Sequence, residues 1–99
     1  MKIGAALKQV RQNIVERRQG EVASSVGISQ TYLSQIEAGK KIPAQEVVES
    51  LCKEYKIPVA IVIWKALEVG DIHKSKKQAF GRIKPIVDDL LEGFLINNF

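Results

Sequence analysis

Four short, uncharged polar side chains share one side of a segment whose other side is apolar. On a helix that turns by about 100° per residue, Leu33 and Ile36 share one side and these four residues point away from it. Glutamine can bond the N6 and N7 atoms of adenine, and threonine or serine can bond a base edge or contact a thymine methyl group. The residues predicted to contact bases are Gln30, Thr31, Ser34 and Gln35. The alternative is a solvated helix face, but such a face usually carries Lys and Glu, and this one has neither before Glu37.

Other polar residues, at the start of the preceding helix and just after this segment, are suited to bind a phosphate backbone. Gln19 stands at the start of the preceding helix, where free N–H groups and the helix dipole favour anions, and Arg17 and Arg18 come just before it. Two lysines follow the segment, although they could also form an ordinary solvated turn. The residues predicted to contact phosphates are Arg18, Gln19, Tyr32, Lys40 and Lys41. Such contacts supply affinity and orientation rather than sequence preference.

The element that must position these side chains is a pair of helices joined by a tight turn. Ala23 has to be small because the second helix crosses close over it, and Gly27 lies where the chain turns and a positive φ is favoured. Leu33 and Ile36 are three residues apart and therefore share the buried face of the second helix, which Ser29 can cap. This spacing predicts a helix-turn-helix, a scaffold that presents one helix to the major groove.

Arg11 and Glu37 form a further predicted pair. Arg11 lies beside the apolar stripe of the first helix, and Glu37 projects toward the interior side of the third. A salt bridge between them would hold the third helix at a set angle and would avoid leaving either charge partly buried alone. The alternative is two independent surface charges.

Helical periodicity extends through the rest of the chain. Helices are predicted from Ile3 to Ile14, over 18–26, from the cap at Ser29 up to Gly39, and over 44–55. The run that follows Pro58 is rich in β-branched residues, but with no second strand to pair with it a fifth helix is predicted. A polar stretch over 70–77, either a linker or a frayed helix start, precedes a last amphipathic helix, which Pro85 either begins or kinks.

Composition restricts the class of protein. The 99 residues are enough for one modest domain, and the net charge of +4 comes from residues 1–42, which hold seven Lys/Arg against three Glu. One Cys and one His cannot form a nucleophile–base pair or a metal cluster, so no enzyme, metal site or cofactor is predicted. No signal peptide and no apolar run of the roughly 18 residues that a membrane span needs are found, which predicts a cytoplasmic protein.

Several motifs also match a known family in residue type and spacing. They are Ile3-Gly4-x-x-Leu7-Lys8-x-x-Arg11, Gln19-x-x-x-Ala23, Gly27-Ile28-Ser29-Gln30, Tyr32-Leu33-Ser34-Gln35-Ile36-Glu37-x-Gly39-Lys40 and Pro43. Through them, residues 3–67 resemble the Cro/C1-type helix-turn-helix family, the lambda-repressor-like domain of phage repressors and many bacterial XRE-type regulators. The resemblance implies an all-α, five-helix bundle that binds operator DNA as a dimer. It also implies DNA contacts at the residues named above and an Arg11–Glu37 pair.

The chain departs from this family at three places. The link between Arg11 and Gln19 is one residue longer than usual and lacks the common glycine, so the first helix is expected to end differently. Ala44 replaces the usual serine at the start of helix 4, which loses a capping hydroxyl worth about 1 kcal/mol. Helix 5 is apolar nearly all round and must be covered by the C-terminal helix, a second subunit, or both.

These patterns predict a DNA-binding domain over residues 1–69 and a C-terminal linker and helix over 70–99, which dimerises or covers the core. The residues predicted for dimerisation are Ile61, Trp64, Phe80, Val87, Leu91 and Phe94. The predicted function is a homodimeric, sequence-specific regulator of transcription, a repressor, on a palindromic site in double-stranded DNA. The alternative is a protein-interaction module, such as an autoregulating antitoxin whose C-terminal helix binds a partner protein.

Overall fold

In the computed structural model, residues 1–97 are described, with side chains through Leu95, and all regular structure in this part of the chain is helical. The predicted all-α fold, a five-helix bundle followed by a C-terminal helix, is therefore confirmed. Residues 98 and 99, the end of the predicted C-terminal segment, lie outside the described residues. The α-helices are α1 (Ile3–Gln9), α2 (Gln19–Val26), α3 (Gln30–Glu37), α4 (Gln45–Tyr55), α5 (Val59–Ala66) and α6 (Lys77–Asn97).

The first helix ends in a wide turn rather than a simple stop. After α1 the chain continues as a π-helical turn, Val10–Ile14, in which the Val15 N–H donates to the Val10 carbonyl oxygen at 3.0 Å. A π-turn accommodates one more residue than an α-turn. Glu16 then adopts a φ of 52°, a left-handed conformation that a glycine would adopt at lower cost. The first helix therefore ends in a π-turn followed by a left-handed residue.

The core lies between α1, α2, α3, α4 and α5, each of which contributes at least one fully buried aliphatic side chain. The run after Pro58 forms α5, so the helix was the correct choice over a strand. Ala44 is the N-cap of α4 and provides no side-chain hydrogen bond, as its lack of a hydroxyl requires. The largest fully buried aliphatic residues of these five helices are Leu7, Val22, Leu33, Ile36, Leu51 and Val62.

The C-terminal helix packs on its own domain. Two short 3₁₀ turns, Val69–Asp71 and Lys74–Lys76, occupy the predicted linker, and α6 begins at Lys77. The alternative that Pro85 begins the helix is therefore wrong, because Pro85 lies inside it. The Trp64 indole on α5 lies 5.9 Å from the Phe80 ring, measured between centroids, and its Nε1 donates to Asp88 at 2.9 Å.

These contacts bear on the residues predicted for dimerisation. Trp64 and Phe80 contact each other within one chain, and both are half-buried. Three further members of that set are also half-buried, whereas Phe94 is exposed. The half-buried three are Ile61, Val87 and Leu91. Within this set Ile61 packs against the hydrophobic core, and the residue of α6 that joins the core is Leu95, which lies outside the set.

Candidate nucleic-acid interface

The turn between α2 and α3 has the local structure that its residues predict. Gly27 adopts a φ of +78° and is the left-handed C-cap of α2, while the Ile28 N–H donates to the Ala23 carbonyl oxygen at 3.0 Å. Ser29 is the N-cap of α3, and its Oγ accepts a hydrogen bond from the Tyr32 N–H at 3.0 Å. Both helix ends are capped within this short connection, which sets the angle between the helices.

The inner side of α3 is seated directly on α1. A Cβ atom added to Gly4 would lie 1.8 Å from the carbonyl oxygen of Ile36, so only glycine permits this approach of the two backbones. Leu33 and Ile36 are fully buried on the same side. A glycine inside a helical pattern indicates such a close approach in general, but the sequence does not say which element approaches. Gly4 was matched as part of a motif, and its role in seating α3 was missed.

The polar side chains predicted to bind DNA come together on the outer side of α3. One shallow depression of about 310 Å³ is lined by residues of α2 and α3 together. Gln30, Thr31 and Ser34 are exposed there, whereas Gln35 is half-buried and less available than the helical wheel indicates. The lining residues are Gln19, Gln30, Thr31, Ser34 and Gln35.

A buried ion pair joins α3 to the end of the first helix. Arg11 Nε donates to Glu37 Oε2 at 2.7 Å, and a second guanidinium nitrogen donates to Glu37 Oε1 at 2.9 Å. The side chains are only 9% and 2% exposed, respectively. Arg11 also donates to the Arg17 carbonyl oxygen at 2.9 Å. The hydrogen bond to Glu37 raises the pKa of Arg11, and its effect outweighs the opposing effect of burial. This two-point geometry is the strong form of such pairs.

Gln19 links this buried pair to the outer face. Its Nε2 donates to Glu37 Oε1 at 2.9 Å, and its Oε1 accepts from Gln30 Nε2 at 3.5 Å. Gln30 lies over the first turn of α2, where a Cβ on Gly20 would be 3.1 Å from Gln30 Oε1. The Gln19 amide therefore orients Gln30 in addition to any phosphate contact. Sequence reasoning missed this link, because nothing in the spacing places Gln19 next to Glu37.

The basic residues predicted to contact phosphates lie next to the ends of α2 and α3. Arg18, predicted as the first residue of the second helix, is instead its N-cap and is exposed; it provides no side-chain cap for the first N–H groups of α2. Lys40 and Lys41 are also exposed, and their N–H groups donate to the Gln35 carbonyl oxygen at 2.9 and 3.2 Å. Arg17 points elsewhere, because its guanidinium is paired with Glu54 at 2.5 Å.

Tyr32 lies on the flank of α3. It is half-buried and packs against the hydrophobic core. Only part of its side chain is therefore available for the predicted phosphate contact.

The sequence profile of a helix-turn-helix family matches residues 7–62, which is more than half of the chain and includes α2 and α3. The chain belongs to the Cro/C1-type helix-turn-helix family. Its helix-turn-helix is a DNA-binding domain of the type used in transcription regulation.

The curated relatives are similar over the same region. The transcriptional regulator ClgR from two strains of Mycobacterium tuberculosis, CDC 1551 and H37Rv, is 33% identical over 65 residues. That alignment covers 66% of this chain and 54% of each relative, so the chain spans about half the length of the curated relatives it matches. No solved structure matches the chain significantly.

The described residues contain neither a membrane-spanning helix nor a metal-binding cluster. Over residues 1–97 no helix combines the length and the apolar character that a membrane crossing requires. The same part of the chain holds no cluster of three or more His, Cys, Asp or Glu side chains that could bind a metal ion.

Proposed function

We propose that this chain is a sequence-specific double-stranded DNA-binding regulator of transcription that acts as a homodimer on a palindromic operator, with α3 in the major groove. One observation carries the proposal: Gln30, Thr31 and Ser34 are exposed in a single depression, on the side of α3 opposite the buried Leu33 and Ile36. A rigidly seated helix with neutral donors and acceptors on its outer side is suited to read base edges.

The proposal divides the work between two sets of residues. Gln30, Thr31, Ser34 and Gln35 contact bases, while Arg18, Gln19, Tyr32, Lys40 and Lys41, together with the first N–H groups of α2, contact phosphates. Residues 1–69 form the DNA-binding domain, and residues 70–99 provide the linker and the dimerisation helix. In this proposal the protein is cytoplasmic and acts as a repressor. It needs no catalytic activity, because a protein bound at a promoter is sufficient to exclude RNA polymerase.

The experiment that tests this proposal is selection of bound sequences from a random DNA pool, followed by retardation assays over a range of salt concentrations. We expect a palindromic consensus whose two halves are read about 34 Å apart. Affinity should fall steeply as salt rises, because each phosphate contact releases a counterion. Recovery of no consensus would refute base reading.

The base contacts are tested by the double variant Gln30→Ala/Gln35→Ala. It should lose specific binding by roughly 30- to 25,000-fold, since each of the two bidentate base contacts contributes about 1–3 kcal/mol of discrimination and about 1.4 kcal/mol is a factor of ten. The matched control is Gln12→Ala/Gln78→Ala, which removes two exposed glutamines outside the depression and should bind as the parent does. Circular dichroism checks that both variants fold. Equal loss in both variants would contradict the assignment of Gln30 and Gln35.

A further inference from the structure

The C-terminal helix has a second apolar face that does not pack on its own domain. Ile83, Ile86 and Leu90 are 52%, 62% and 69% exposed. Their spacing of three and four residues places them on one side of α6, and we call these three residues the outer stripe. The other side of α6 contacts Trp64 of α5 through Phe80 and lies against the π-helical turn at the end of the first helix. A continuous apolar stripe on an exposed helix is typical of an interaction surface.

The charges of α6 are divided between its two halves. Residues 77–84 contain three basic residues and no acid, while residues 85–97 contain three acids and no base. This order is the reverse of the one that stabilises a helix through its dipole, which favours acids near the N-terminus and bases near the C-terminus. A second helix running in the opposite direction would place each basic half beside an acidic half.

Some of these charges are already paired within the chain. Lys84 pairs with Asp88 at 2.9 Å, and Glu92 pairs with Lys65 at 3.3 Å. Arg82 and Asp89 are different, because both are exposed and neither has an ion-pair or hydrogen-bond partner among residues 1–97. They are seven residues apart, about two turns, and therefore lie on the same edge of the outer stripe.

We propose that a second copy of this chain packs antiparallel on the outer stripe, around a twofold axis beside Ile86, and that Arg82 of each copy pairs with Asp89 of the other. The proposal rests on the homodimer of the proposed function and names its interface. The midpoint of Arg82 and Asp89 and that of Ile83 and Leu90 both fall within one residue of Ile86. A single twofold axis thus satisfies the apolar contacts and both ion pairs, as a self-complementary interface requires.

The charge pattern also selects the direction of pairing. In a parallel pair, the twofold axis would run along the helices and would place the edge with Arg82 and Asp89 of one copy on the opposite side of the interface from that edge of the other, so neither charge would meet its opposite. The interface is small, because three apolar side chains per copy bury less than the roughly 800 Å² per partner of a standard interface. We therefore expect a reversible dimer whose population depends on protein concentration.

Two charge reversals test this arrangement in the full chain. Arg82→Asp would place two acids together at each contact, and Asp89→Arg would place two bases together. Each variant alone should dimerise roughly tenfold more weakly than the parent in sedimentation velocity without DNA. An equimolar mixture should recover the dimer, because each contact then joins an acid to a base. Lys53→Asp and Glu46→Arg change the charge equally at exposed sites on α4 and should dimerise as the parent does.

The outcomes separate this inference from the proposed function. A parent chain that stays monomeric at the highest concentration reached would overturn the inference. The inference would also be overturned if both charge-reversal variants dimerised as strongly as the parent, or if their mixture dimerised as weakly as each variant alone. A dimer that responds as expected but retards no DNA sequence supports the interface and refutes the DNA-binding proposal instead.

Discussion

Replacement of Glu37 by glutamine tests how α3 is held. Glu37→Gln conserves the shape of the side chain but leaves the Arg11 guanidinium, only 9% exposed, without its counter-charge. Removing one partner of a buried ion pair costs about 3–5 kcal/mol. Arg11 keeps its hydrogen bond to the Arg17 carbonyl, and the glutamine oxygen can still accept one bond, so we expect about 2–4 kcal/mol.

The loss of stability should be measurable by urea unfolding and by thermal unfolding, both followed by far-ultraviolet circular dichroism. For a domain of this size, each kcal/mol corresponds to about 4–8 °C in Tm, so we expect a fall of about 10–30 °C. Lys2→Gln is the matched control, since it breaks the exposed Lys2–Glu68 pair and should cost about 0–1 kcal/mol. The double variant Arg11→Met/Glu37→Leu should be less destabilised than Glu37→Gln, because no buried charge is left alone.

DNA binding provides a second measurement on the same variant. Glu37 accepts the hydrogen bond that orients Gln19, and Gln19 in turn contacts Gln30. Glu37→Gln should therefore weaken specific binding more than non-specific binding at a temperature where it is still folded. If Glu37→Gln is no less stable than Lys2→Gln, the argument that the buried pair seats α3 is wrong.

Three further substitutions test other local contacts. Gly4→Ala places a Cβ against the Ile36 carbonyl and should cost about 1–3 kcal/mol and lower DNA affinity, as measured by urea midpoint and retardation assay; unchanged values would show that α1 and α3 separate freely. Ala44→Ser restores a capping hydroxyl at the start of α4 and should raise the free energy of unfolding by about 1 kcal/mol; no gain would mean that this helix end is satisfied otherwise. Tyr55→Phe removes a buried hydroxyl that has no hydrogen-bond partner in the described part of the chain, so stability should stay equal or rise by about 1 kcal/mol in chemical unfolding; a clear loss would refute this.

The helix-turn-helix could be predicted from the sequence because its determinants are local. Gly27 at a positive φ and Ser29 as the N-cap act within a few residues of themselves, and neither depends on the rest of the fold. Leu33 and Ile36 face inward because helical periodicity alone places them together. The same reasoning placed the four polar residues on the opposite side of α3, although Gln35 is half-buried there.

Contacts between distant segments were harder to predict. The Arg11–Glu37 pair was expected because both charges lie at the edges of apolar stripes, and the resemblance supports it. The Gln19 bond to Glu37 and the approach of Gly4 to Ile36 depend on distances between helices, which spacing along the chain does not encode.

The C-terminal helix shows most clearly which features follow from the sequence and which follow only from tertiary packing. The sequence by itself determined an amphipathic stripe at helical spacing from Phe80 to Leu95, because periodicity is a local property, but it left open whether the helix begins at Pro85. It did not determine which side of so broad a stripe meets the chain's own core. Only the tertiary structure decided that Phe80 and Leu95 pack inward while Ile86 and Leu90 remain exposed, since Trp64 of α5 and the π-helical turn offer one surface of limited width and a helix can bury only one of its sides against it.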